Sequence, residues 1–120
     1  MKIYLIAALI ALSACATPSL PPAVEIDVTR FRSSLDGDAS DLNVLVTNRA
    51  VEHFSKKYTK LKNHKAFAHS KSGAWAYKSD FRELWLAVEG ALGACELHNK
   101  SNQDQPCKVV NINGHWASEF

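Results

Sequence analysis

From Phe81 onward the apolar residues Phe81, Leu84, Trp85, Val88, Ala91, Leu92 and Cys95 recur at i, i+3, i+4, i+7, i+10, i+11 and i+14. That period puts all of them on one stripe of an α-helix, and so wide a stripe has to be buried against another element. Ser79 suits the N-cap. Asp80 and Glu83 fall in the first turn, where the helix dipole favours negative charge. The reading is a helix from Asp80 to His98. Gly90 and Gly93 each cost about 1 kcal/mol against alanine inside a helix, which points to close approach by a neighbouring backbone.

The preceding stretch supplies a surface for that stripe. Ala66-Phe67-Ala68-His69 and Ala74-Trp75-Ala76-Tyr77 alternate small and aromatic residues around Ser70-Lys71-Ser72-Gly73, a turn with glycine where positive φ is needed. They read as a hairpin. Ala66, Ala68, Ala74 and Ala76 leave room for close packing on one face, and the helix is the element to fill it. After the polar loop Asn99 to Gln105, the β-branched run Val109, Val110 and Ile112 reads as a strand. Asn113-Gly114 is a turn dipeptide, and His115-Trp116-Ala117 starts a last short strand.

Upstream, Val46, Ala50, Phe54, Tyr58 and Leu61 form one helical stripe, so Asp41 to Leu61 reads as a further helix, capped by Ser40 or Asp38. Leu45-Val46-Thr47 fits a strand start as well. The turn cluster Asp36 to Asp41 lacks the glycine and the bidentate glutamate of a calcium loop, whose places hold Asp41 and Thr47. The fold class expected is α+β. It has an antiparallel sheet of three to four short strands, an amphipathic helix packed on it, and an additional N-terminal helix.

The chain has 120 residues, with 14 basic and 12 acidic side chains and a formal net charge of +2. The charges are interspersed, which gives no clustered basic face for nucleic acid. The local run Lys56, Lys57, Lys60, Lys62 and Lys65 reads as a solvated helix face.

The start of the chain carries the clearest address. Lys2 precedes the apolar run Ile3 to Leu12, and Ser13-Ala14-Cys15 follow. A membrane-crossing helix needs about 20 apolar residues; this run is shorter and has the charged start, apolar centre and small residues of a secretory signal peptide. Leu12-Ser13-Ala14-Cys15 resembles the lipobox of bacterial lipoproteins. The resemblance implies cleavage before Cys15 and acylation of its thiol, and in a two-membrane bacterium Ala16 after the cysteine implies delivery to the outer membrane. Two or more acyl chains hold a protein firmly, at about 0.8 kcal/mol per buried CH₂. Ala16 to Ala23 contains Pro18, Pro21 and Pro22 and reads as an extended tether of roughly 25 Å. Val24-Glu25-Ile26-Asp27-Val28 alternates and fits either an edge strand or more linker. The organisation expected is a signal peptide over 1–14, an anchored tether over 15–23 and one domain over 24–120, with its core at 64–116.

With Cys15 assigned to lipid, Cys95 and Cys107 remain, and an exported domain with two cysteines favours a disulfide. The rival reading is a redox or metal pair, but redox pairs usually show C-x-x-C spacing at a helix start. From His64 to Trp116 the motifs HKAFAHSKSG, AWAY, ALGAC and PCKVVNING resemble a small secreted module of proteobacterial envelope proteins, known as a domain of unknown function. The resemblance implies the same strands, helix and cysteine pair, and it transfers no catalytic residue. Trp75 and Tyr77 stand where many members have a glycine-rich strand.

No catalytic constellation or cofactor site is legible. His64 and His69 are a loose fit to zinc spacing, and an offset of five on a strand puts them on opposite faces. Two function classes follow. One is a non-catalytic envelope module that binds a protein or glycan partner through exposed aromatics, with Trp75, Tyr77 and Trp116 as candidates. The other is a small envelope enzyme or thiol-redox protein using Cys95 and Cys107, or His64 and His69.

Overall fold

Gly73, at φ 102°, closes the first hairpin. Its N–H donates to the Ser70 carbonyl at 2.9 Å, and the Ser70 N–H donates to the Ala74 carbonyl at 2.8 Å. The pattern is a type I turn followed by a left-handed residue, a geometry that favours glycine. In the computed structural model, which describes residues 28–120, this turn joins strand β1 (Ala66–His69) to β2 (Trp75–Lys78). The signal peptide, the Cys15 anchor site and the tether lie outside the described residues. A second turn, with Asn113 at φ 50° and Gly114 at φ 87°, joins β3 (Lys108–Ile112) to β4 (His115–Trp116). Positive φ at both central residues matches the right-handed twist of a two-residue hairpin. The sheet is antiparallel, in the order β2-β1-β3-β4.

Alternation along β1 separates the two faces. Ala66 and Ala68 point to one side and Phe67 to the other. The alanine side, with Ala76, Val109 and Ile112, is covered by helix α2 (Leu84–His98) through Ala87, Val88, Ala91 and Cys95. The Phe67 side is covered by helix α1 (Asn48–Lys56) through Ala50 and Phe54, with Tyr58 just beyond it. Val109 and Ile112 are three apart, yet both face α2. The register between β1 and β3 shifts between Phe67 and Ala68. A β-bulge lets two consecutive residues share a face, so Val110 and Asn111 both turn towards α1 and Tyr58.

Three boundaries differ from the sequence reading. The stretch Asp41 to Leu61 is divided: Asp41 accepts from the Asn43 N–H and caps a 3-10 turn at Leu42–Val44, and Thr47 accepts from the Ala50 N–H and starts α1 afresh. Neither Ser40 nor Asp38 is the cap, and Val46 is 54% exposed rather than part of the stripe. Helix α2 starts at Leu84, because Asp80 adopts φ 61° and the chain around it pairs elsewhere. The Asp80 N–H donates to the Lys62 carbonyl, and His64 and Phe81 exchange backbone hydrogen bonds of 3.4 and 3.5 Å. The glycine reading changes too. A methyl at Gly90 would meet the Lys78 Cγ at 3.2 Å, a side chain and not a backbone, and Gly93 faces open space.

Candidate binding surface

The aromatic rings lie on the α1 face of the sheet. Phe67 and its hairpin neighbours form a triangle of rings, with the Phe67 centroid 5.9 Å from Trp75 and 5.7 Å from Tyr77, and those two 6.1 Å apart. All three planes are nearly parallel because the side chains leave adjacent strands in register. Helix α1 covers this ladder from above. His53 lies 4.7 Å from Trp75, and its Nδ1 is 3.4 Å from the Tyr77 hydroxyl. Phe54 stacks on Trp116 at 4.8 Å. Trp75, Tyr77 and Trp116 are therefore half-buried and held in one ring system. Exposed aromatics were expected; packing against the elements around α1 leaves all three half-buried.

Beside the ladder runs a groove of about 690 Å³ along β2, from Gly73 to Lys78. Arg49 of α1 stands on one side, and Ala94 and His98 of α2 on the other. Leu35, Val44 and His69 line a second cleft of about 690 Å³, with Asp36 and Lys71 at its rim.

The residues singled out for chemistry are dispersed. His69 is buried, and its Nε2 accepts from the Val46 N–H at 3.2 Å. Burial pushes its pKa down, and nearby Asp36 pulls it partly back. His64 lies beyond the other end of β1, tied by its backbone to Phe81. Cys95 and Cys107 form a disulfide with Cα atoms 6.2 Å apart, and both residues are buried. The Cys107 N–H donates to Glu96 Oε1 at 2.6 Å, a second tie between α2 and the start of β3. Among the described residues no three histidine, cysteine or carboxylate side chains are grouped to hold a metal ion.

Several buried polar groups escaped the sequence reading. Lys65 belongs to the lysine run but is only 5% exposed. Its Nζ donates to the carbonyls of Tyr58, Thr59 and Leu61 at 3.0 to 3.2 Å, at the carbonyl end of a helical segment. Burial lowers its pKa. Asn99 is fully buried. Its Nδ2 donates to the Asn102 and Gln105 carbonyls, and its Oδ1 accepts from the Ser72 hydroxyl at 2.6 Å. Ser70 donates to the same Gln105 carbonyl. Together they pin the first hairpin turn to the loop before β3. The only sequence signal for this was an asparagine at the helix end.

No family profile, curated protein or solved structure matches the chain.

Proposed function

We propose that this chain is a membrane-anchored lipoprotein of the bacterial envelope, held by acyl chains on Cys15, whose domain is a non-catalytic binding module. The reading extends the resemblance of Leu12–Cys15 to a lipobox and of His64–Trp116 to a small proteobacterial envelope module. The Cys95–Cys107 disulfide supports an exported location, since such bonds persist in oxidising compartments. Among the described residues no helix is long and apolar enough to cross a membrane. The outer membrane, facing the periplasm, is the destination that Ala16 favours.

The observation that carries the binding role is the half-buried pair Trp75 and Tyr77, which line the groove along β2, with Trp116 joined to their ring system through Phe54. Preorganised aromatic rings lose little entropy on binding and are enriched at interaction hot spots. The experiment is affinity capture from native envelopes with the tagged chain and with Trp75→Ala and Trp116→Ala made singly. Loss of a partner from a variant that stays folded by circular dichroism supports the role. An unchanged set of partners removes both residues from it.

A further inference from the structure

The sheet ends at β2, which pairs with β1 alone among the described residues. The hairpin determines which of its backbone groups are left over. Ala74 accepts from the Ser70 N–H, so its polar backbone groups turn towards β1. In an antiparallel ladder that direction alternates residue by residue. Ala76 and Lys78 therefore face β1 as well, and Trp75 and Tyr77 aim their N–H and C=O groups outward. Natural edge strands are blunted by shortness, by charged side chains such as lysine, by proline, by a bulge or by a covering segment. β2 is short and carries Lys78 at its end, which guards against apolar strands and leaves the edge open to an acidic one. β2 contains no proline, and its register with β1 runs unbroken from Ala66–Lys78 to His69–Trp75.

The groove beside this edge has one sign of charge. Arg49 and Lys78 are exposed and have no ion-pair partner among the described residues, and no carboxylate lines the groove. We infer that the groove takes an extended, carboxylate-bearing polypeptide segment, added as a strand to β2 and hydrogen-bonded to the backbone of Trp75 and Tyr77. Strand addition draws its affinity from main-chain hydrogen bonds and its specificity from alternate side chains. Here one set of partner side chains lies along the Trp75 and Tyr77 rings, within reach of Arg49. The other set lies against Ala76 and Ala94, within reach of Lys78. The inference rests on the binding-module reading and names its partner class.

A second copy of the chain fits less well. α2 runs back along β2 from Gly90 beside Lys78, which brings His98 to the Ala74 end. Two β2 strands paired antiparallel about Ala76 would set the Lys78 of each copy opposite Ala74 of the other, beside His98. Lys78 of each copy would then meet no carboxylate at either end of the pairing.

The test titrates three kinds of probe into the full chain in detergent micelles. The first is the peptide Thr-Glu-Val-Glu-Val-Glu-Thr, the second is its lysine counterpart, and the third is a pair of acidic peptides N-methylated on one or the other alternate set of backbone nitrogens. Amide shifts of Trp75 and Tyr77 report the site, and tryptophan fluorescence reports affinity. The acidic peptide moves both amides and binds about tenfold or more tightly than the lysine peptide. One methylation pattern abolishes its binding, because it blocks the edge-facing N–H groups. The double variant Arg49→Glu and Lys78→Glu reverses the charge preference. Absence of binding to the folded chain, equal binding of both charges, indifference to both methylation patterns, or β2–β2 self-pairing in the absence of peptide would each overturn the inference. If the β2 amides stay still while Trp75→Ala or Trp116→Ala still loses an envelope partner, strand addition is wrong and the binding-module reading survives. If neither responds, the wider reading falls as well.

Discussion

The Lys65 ammonium sits 3.0 Å from the Tyr58 carbonyl oxygen and 4.9 Å from the centre of the Tyr58 ring. A buried cation thus closes the carbonyl end of the segment that follows α1, and it reaches there from the residue just before β1. The contact joins the helix side of the domain to the sheet. Its loss leaves the Thr59 and Leu61 carbonyls without that donor, while the Tyr58 carbonyl keeps the Leu61 N–H at 3.1 Å.

Lys65→Met keeps the aliphatic bulk and removes that donor. The expected cost is about 1–3 kcal/mol, the penalty for leaving a buried acceptor unsatisfied. Equilibrium urea unfolding measures it. A variant as stable as the parent would show that the ammonium's own desolvation cancels its hydrogen bonds.

His69 makes stability depend on pH. Its pKa in the folded state is lowered by burial, and Asp36 offsets part of that. Below the ordinary histidine value of about 6.5 the unfolded chain takes up a proton that the folded chain does not. Stability is therefore complete above about 6.5 and falls as the pH drops towards the lowered folded pKa, with a slope of at most about 1.4 kcal/mol per pH unit from this residue. Protonated Nε2 can no longer accept from the Val46 N–H. Urea midpoints of the parent should fall between pH 7.5 and 5, and His69→Gln should flatten the change. An equally steep fall in that variant would assign the dependence to other groups.

The Tyr58 hydroxyl donates to Asn111 Oδ1 at 3.0 Å in the interior. Burial raises the phenol's pKa well above its usual value, with the Gly114 backbone N–H pulling the other way, so the group stays a neutral donor. The Asn111 Nδ2 is already buried without a partner. Tyr58→Phe would strand the Oδ1 as well and should cost about 1–3 kcal/mol. The double variant Tyr58→Phe with Asn111→Leu should recover part of that loss. If the double is worse than the sum of the singles, repacking at the bulge outweighs the polar pair.

Cys107→Ser should cost about 3 kcal/mol, the loop-closure value for a bond of this span. It should leave membrane attachment intact. Cys15→Ser should do the reverse, releasing the chain from the membrane fraction or blocking its processing while the domain still folds. Fractionation paired with thermal unfolding separates the two effects. Normal membrane attachment of Cys15→Ser would remove the anchor from the proposal.

Much of the architecture was legible because its signals are local and periodic. The stripe of α2, the small–aromatic alternation of β1 and β2, and the Asn113-Gly114 turn each state a backbone geometry within a few residues. The cysteine pair was legible once Cys15 had been assigned elsewhere. Helix ends were less so. Ser79 and Asp80 look like a helix start, but the backbone there bonds to Lys62 and His64, segments that no local pattern connects to it.

The candidate surface divides the same way. Trp75, Tyr77 and Trp116 could be named from their chemistry. Their half-burial under α1 could not, because it depends on which face α1 covers. Lys65 shows the limit most plainly. In the sequence it is one lysine of five in a basic run, while in the fold it is a buried donor surrounded by carbonyls. Periodicity and turn chemistry act between near neighbours, so the chain by itself determined its strands, its helical stripe and its disulfide. Burial, the bulge that turns Val110 and Asn111 together, and the place of β2 at the end of the described sheet arise from contacts between distant segments. Those were decided only when the sheet and its two helices came together.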